Sequence, residues 1–62
     1  MSSILRIKDI INKTGLSRSS VYRLAQAGEF PKPIKLSERS SGWLESEVNN
    51  WIDSRIEQRD RA

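Results

Sequence analysis

Residues 14–28, T-G-L-S-R-S-S-V-Y-R-L-A-Q-A-G, carry the strongest fold signal in the sequence. It predicts a helix that starts at Ser17, because a serine hydroxyl there can accept a hydrogen bond from the unpaired backbone N–H of Ser19 or Ser20. The helix is expected to stop before Gly28. The elements predicted on either side of this helix account for most of the chain.

The predicted helix has two different faces. At about 100° per residue, Val21, Leu24 and Ala25 share one apolar stripe that must pack inward. The opposite side carries a hydroxyl, a phenol, a guanidinium and an amide, from Ser19, Tyr22, Arg23 and Gln26. These groups reach base edges and phosphates in a DNA major groove. We therefore interpret residues 17–26 as the recognition helix of a helix-turn-helix.

A shorter helix is predicted before it, from about Lys8 to Thr14, after a brief extended segment at residues 4–7. Ile7, Ile10 and Ile11 form its apolar stripe. Gly15 follows as a left-handed stop. The tight turn at 14–16 then folds the two helices into a helix-turn-helix pair.

The predicted secondary structure changes after position 28, because the two prolines in E-F-P-K-P-I-K-L forbid a helix. Phe30 is expected to be a buried plug beneath this connection. A short strand is predicted at 34–36, a turn at S-E-R-S-S-G and a return strand at 42–44, which together make a β-hairpin wing. The wing residues at or near its tip that are expected to contact DNA are Lys35, Arg39, Ser40 and Ser41.

The last helix is predicted from about Glu45 or Ser46 to about Arg59. Val48, Trp51, Ile52 and Ile56 recur on one stripe, and acidic and basic residues lie at the ends that suit the helix dipole. The fold class is therefore mainly α: a small winged helix-turn-helix with three helices and a short two-stranded β-hairpin wing.

Sixty-two residues allow one domain, 1–62, with residues 1–3 and 60–62 expected to fray. No apolar run approaches the roughly 20 residues that cross a bilayer, so we expect a cytoplasmic, nucleoid-associated protein. The absence of cysteine and histidine removes thiolate ligands and the commonest general base. We expect no cofactor, no metal and no catalytic residue.

Charge is unevenly distributed along the chain. Residues 1–42 hold eight basic and three acidic side chains, whereas residues 43–62 hold three basic and five acidic ones, for a net charge of +3 overall. One surface should therefore attract a polyanion while another points away from it.

The segments T-G-L-S-R-S-S-V-Y-R-L, G-x-F-P-K-P-I-K-L and G-W-L-E-S-E-V, followed by W-I, occur in one order over residues 4–56. In this order they resemble the AlpA family of phage and prophage regulators, and more broadly the excisionase-type, MerR-like winged-helix domains. The resemblance implies that Ser17 to Gln26 enters the major groove and that the wing reaches the neighbouring backbone or minor groove. It also implies structural roles for Trp43 and Trp51. The DNA contacts it implies in the helix are Arg18, Ser19, Ser20, Tyr22 and Arg23.

Family members are implied to activate integrase genes or to act as excisionases. This would make double-stranded DNA the partner, with further copies on adjacent sites and an integrase or RNA polymerase as candidate protein partners. The alternative from a different class is a protein-binding adaptor that docks on an integrase, polymerase or signalling protein. Its docking surface would be the acidic, polar face of the last helix, with Glu47, Asn50, Asp53 and Glu57.

Several residues also have a purely structural interpretation. Lys32 and Lys35 can serve as edge-strand lysines that block unwanted pairing. Tyr22 can be half core with only its hydroxyl exposed. Arg55, on the stripe side of the last helix, is expected to cover Trp51 or to form a salt bridge rather than to contact DNA.

Overall fold

The computed structural model describes residues 3–61 as three helices and three short strands. In chain order these are β1 (Ile4–Leu5), α1 (Ile7–Thr14), α2 (Arg18–Gln26), β2 (Ile34–Ser37), β3 (Ser40–Leu44) and α3 (Glu45–Arg61). The helix-turn-helix, the hairpin and the final helix were all predicted, and the fold class is confirmed. The expected fraying of the termini falls partly on residues 1, 2 and 62, which lie outside the described residues, and it stays a prediction.

Helix α1 begins one residue earlier than predicted. The Asp9 carboxylate accepts a hydrogen bond from the Arg6 backbone N–H at 2.9 Å, which satisfies a donor at the start of the helix. Helix α1 ends as predicted, because Gly15 adopts a left-handed φ of 76° and its N–H donates to the carbonyl oxygen of Ile11. Thr14 closes the last turn through its hydroxyl, which donates to the Ile10 carbonyl oxygen at 2.7 Å.

The hairpin is tighter than the sequence predicted. Strands β2 and β3 pair antiparallel, with Ile34 opposite Gly42 and Ser37 opposite Ser40, so the turn is confined to residues 38–39. A register shift between residues 35 and 37 accommodates the extra residue of β2. The six-residue turn predicted over 37–42 was wrong, since Ser40 and Ser41 lie within β3.

The extended segment predicted at residues 4–7 is a strand over Ile4–Leu5, and it adds to the hairpin a third strand whose pairing the sequence did not predict. Strand β1 pairs antiparallel with β3, with Ile4 opposite Leu44 and Leu5 opposite Trp43, and the sheet order is β1-β3-β2. The Glu45 N–H donates to the Ser3 carbonyl oxygen at 2.8 Å and extends this pairing. The expected two-stranded wing is therefore part of a three-stranded sheet that ties the start of the chain to the start of α3.

The core draws one or two side chains from almost every element. Its buried members are Ile10, Val21, Ala25, Phe30, Trp43 and Val48, and no polar or charged side chain among the described residues is buried. Phe30 is the predicted plug, with its ring centroid 4.8 Å from that of Trp51 in an edge-on arrangement. This arrangement fixes α2 against the sheet and α3.

Helix α3 is longer than its packed segment. Val48 is buried and Trp51 and Ile52 pack against the core, but Ile56, the fourth member of the predicted stripe, is 43% exposed. The helix continues to Arg61, two residues beyond the predicted end. Within residues 3–61, no helix has the length and apolar character that a membrane span requires.

Candidate nucleic-acid interface

Helix α2 begins with the cap that the sequence predicted. The Ser17 hydroxyl oxygen accepts the Ser20 backbone N–H at 3.2 Å, and Ser17 lies in extended backbone immediately before the helix. The Ser17 hydroxyl also donates to the Ser20 hydroxyl oxygen at 3.0 Å. Both hydroxyls therefore already form hydrogen bonds at the start of α2. A DNA contact by either hydroxyl would have to keep or replace these bonds.

The two faces of α2 separate as the periodicity predicted. Val21 and Ala25 are buried and Leu24 packs against the core beside them. The opposite face is exposed, and it carries Arg18, Ser19, Tyr22, Arg23 and Gln26. Neither arginine of this face forms a salt bridge with any residue in the described part of the chain. The guanidinium groups are therefore free to pair with an external anion.

Tyr22 combines a packed ring with an exposed edge. Its ring centroid lies 5.8 Å from that of buried Trp43, yet the residue is 41% exposed. Its ring contacts the core through Trp43, but its exposure extends beyond the hydroxyl group alone, which the structural interpretation had expected. Its position in contact with Trp43 also limits where the phenol can point, which suits a group that must meet a partner in a defined place.

The hairpin supplies the second group of predicted contacts. Arg39 occupies the two-residue turn and Lys35 lies in β2, and both are exposed. Neither forms a salt bridge within residues 3–61. Ser40 and Ser41 are only half-exposed in β3, so they are less accessible than the tip position predicted for them.

A further basic residue lies between these two groups. Lys32 is exposed and borders a recess whose other walls are Tyr22, Ala25 and Gln26 of α2 and Pro33. From the sequence, a strand-edge role and a DNA-contact role were about equally favoured for Lys32, and it was not included among the predicted site residues. The sequence signal for a fixed position of this lysine was its place between two prolines, in a segment that begins with Phe30, the predicted buried plug.

The tryptophans have structural roles, as predicted. Trp43 is fully buried, and its indole N–H donates to the Pro31 carbonyl oxygen at 2.8 Å. The indole N–H of Trp51 donates to the Glu29 carbonyl oxygen at 2.6 Å. The Arg55 guanidinium lies 5.1 Å from the Trp51 ring centroid, so this arginine covers the tryptophan as expected.

Two carboxylates near the end of α3 form ion pairs with arginines. Glu57 is paired with Arg61 at 2.7 Å and Asp60 with Arg59 at 3.0 Å, on an exposed stretch of α3. Among residues 3–61 no cluster of three acidic side chains could hold a metal ion.

Two helices joined by a tight turn, followed by a hairpin with unpaired basic side chains, define a small winged helix-turn-helix. The chain belongs to the AlpA family: the family model described as prophage CP4-57 regulatory protein (AlpA) matches residues 3–56. The resemblance inferred from the sequence is thereby confirmed. The family is one of DNA-binding phage regulators and not of enzymes.

Two relatives support this assignment. An uncharacterised protein, ORF88, of Enterobacteria phage P4 is 42% identical over 58 residues, which cover 94% of this chain and 66% of the phage protein. The chain thus spans slightly less than two thirds of that relative's length. The DNA-binding transcriptional activator AlpA of Escherichia coli K12 is 34% identical over 58 residues, covering 84% of this chain and 83% of the activator.

Proposed function

We propose that this chain binds double-stranded DNA with α2 in the major groove and the β2–β3 hairpin on the neighbouring backbone or minor groove. The observation that carries the proposal is the exposed face of α2, whose two arginines form no salt bridge within residues 3–61 while the opposite face is buried in the core. A helix held in this way presents its polar side chains without needing to rearrange.

The membership of the chain in the AlpA family supports a regulatory role for this binding. We propose that the chain regulates a phage or other mobile element, either by activating the transcription of an integrase gene or as an excisionase that favours excision. The similarity to the E. coli transcriptional activator supports a role in transcription, and the similarity to a phage P4 protein supports a phage setting.

Binding by several copies on adjacent sites is part of the proposal. A module of this size covers few base pairs, and a single module buries too little surface to find one site in a genome. An integrase or RNA polymerase would then be recruited or displaced by the assembled copies. A binding curve that steepens when a second half-site is added would support this arrangement, and an unchanged curve would contradict it.

The most informative experiment is selection of bound sites from random double-stranded DNA. A selected site beside an integrase promoter would support the activator role, and one inside an attachment region would support excision. Failure to enrich any sequence, together with no retention on heparin at low salt, would contradict DNA binding and favour a protein adaptor instead.

Arg23→Ala tests the role of α2 on the selected site. If Arg23 reads a base, the substitution costs about 1 to 3 kcal/mol of binding free energy and relaxes the preference at one position. If Arg23 contacts a phosphate, binding weakens equally on every sequence. Ser54→Ala, on the exposed side of α3, is the matched control and should change neither quantity. Unchanged binding by Arg23→Ala would remove this arginine from the proposed contact surface.

A further inference from the structure

The loop between α2 and β2 is fixed from two sides. Trp43 of β3 holds the Pro31 carbonyl oxygen and Trp51 of α3 holds the Glu29 carbonyl oxygen, at 2.8 and 2.6 Å. Phe30, between these two residues, is buried beside both indole rings. Three consecutive loop residues are thus fixed by the core, which is unusual for a surface connection.

Lys32 is the first residue after this fixed segment. It lies between Pro31 and Pro33, and the ring of each proline restricts its own backbone φ to about −65°. The Lys32 side chain is exposed and forms no hydrogen bond or salt bridge with another described residue. Two tryptophan N–H donors therefore order a loop, and the next side chain after this loop, that of Lys32, is a cation without a partner among the described residues.

The recess beside Lys32 joins it to the proposed DNA-binding face. The recess has a volume of about 450 Å³, and its walls include Tyr22 and Gln26, both on the exposed face of α2. Ala25 and Pro33 complete its walls with apolar surface. The recess is open to solvent, and its lining combines apolar surface with an amide and an ammonium group. These are the groups that contact the sugars and phosphates of a DNA backbone.

We infer that Lys32 is a third point of DNA contact, and that its ammonium group binds a backbone phosphate at the edge of the groove that receives α2. The inference rests on the proposed function and adds an element outside both α2 and the hairpin. Trp43 and Trp51 are positioning residues for this contact, because their hydrogen bonds order the loop before DNA arrives and so reduce the entropy lost on binding.

Lys32→Gln tests the contact, with Arg61→Gln as the matched control. Both substitutions remove one positive charge, but Arg61 lies at the end of α3 and is paired with Glu57. Release of counterions from one phosphate contributes about 0.9 to the slope of log affinity against log salt. Lys32→Gln should therefore flatten the slope by about 0.9 and weaken binding roughly 5-fold at about 0.15 M salt on every sequence. Arg61→Gln should leave both close to those of the unsubstituted protein.

Trp51→Phe tests the positioning role, because it keeps an aromatic ring and removes the N–H donor. It should weaken DNA binding when Lys32 is present and have little further effect in the Lys32→Gln background. Affinities are compared at a temperature at which circular dichroism shows every variant folded. Equal weakening in both backgrounds would mean that Trp51 acts on stability alone and would overturn its positioning role.

The two proposals fail in different ways. If Lys32→Gln matches Arg61→Gln in slope and affinity while Arg23→Ala still weakens binding, Lys32 is not a contact and the proposed function stands. If the unsubstituted protein does not bind DNA, the proposed function fails and the Lys32 contact fails with it.

Discussion

Gly42 is the point at which β1 approaches the hairpin most closely, and Gly42→Ala should destabilise the fold. A Cβ at this position would lie 2.5 Å from Cγ2 of Ile4, 3.1 Å from the Leu5 carbonyl oxygen and 3.2 Å from Cδ1 of Leu36. Carbon atoms in favourable contact are about 3.5 to 4.0 Å apart. The Ile4 side chain must therefore move by roughly 1 Å. The backbone of β1 must also shift by a few tenths of an ångström, because the Leu5 carbonyl oxygen belongs to that strand.

The displacement is costly because it disturbs the pairing of β1 with β3 and the packing of Leu5 against the core. The strand is two residues long and depends on its pairing with β3 and on the hydrogen bond from the Glu45 N–H to the Ser3 carbonyl oxygen. Overpacking of this kind typically costs about 1 to 3 kcal/mol. A domain of this size loses about 4 to 8 °C in Tm for each kcal/mol, so a cost of about 2 kcal/mol predicts a fall of about 8 to 16 °C.

Thermal unfolding followed by circular dichroism measures this effect, with Ser41→Ala as the control at the neighbouring strand position. Ile4→Ala removes the Cγ2 atom that is closest to the new methyl group. The cost of Gly42→Ala should therefore fall by more than about 0.5 kcal/mol in the Ile4→Ala background, beyond the scatter expected for independent sites. A melting temperature for Gly42→Ala equal to that of the unsubstituted protein would refute the steric argument. A cost that is unchanged by Ile4→Ala would show that the destabilisation has another source.

Three further predictions concern the helix-turn-helix and the hairpin. Ser17→Ala should cost about 1 kcal/mol of unfolding free energy by removing the cap of α2. Ser19→Ala, the control, should not destabilise the protein. Equal losses of unfolding free energy for the two variants in chemical denaturation would show that the cap is unimportant. Gly15→Ala should cost about 1 kcal/mol, because a Cβ is strained at its positive φ although space is open around it; Gly15→Asn should cost less, and equal costs for both would contradict this reasoning. Arg39→Ala should flatten the salt dependence of DNA binding by about 0.9, and an unchanged slope in a filter-binding or anisotropy titration would exclude the hairpin tip from phosphate contact.

The helices could be predicted because their signals are local. The Ser17 cap, the stripe of Val21 and Ala25 and the left-handed Gly15 all act within a few residues of one another, and each is present as predicted. The same holds for the family resemblance, which depends on the order of such segments. The pairing of β1 could not be predicted in this way, because it joins Ile4 to a partner forty residues away in sequence. Two residues carry too little pattern to specify a strand partner.

The hairpin tip shows a second limit of local reasoning. S-E-R-S-S-G contains several residues that favour turns, so the sequence predicted a long turn, but pairing with β2 extends β3 back to Ser40. The predicted DNA contacts at Ser40 and Ser41 were placed at the tip for this reason. Arg39 lies in the turn under both descriptions, which makes it the better test of the wing.

The two tryptophans link the fold to the candidate site. The apolar stripes predicted that both would be core, but periodicity says nothing about where an indole N–H will find its acceptor. In the structure both donors reach the same loop, on either side of Phe30, and this loop leads directly to Lys32. A core of six buried side chains is small, even without the need to provide acceptors for two indole N–H donors. Its use of two tryptophans to order one surface loop is difficult to explain by stability alone, since the same apolar burial is available from side chains with no donor to satisfy. The proposed contact of Lys32 with a DNA phosphate would give these hydrogen bonds a functional reason, because they order the loop that carries this lysine.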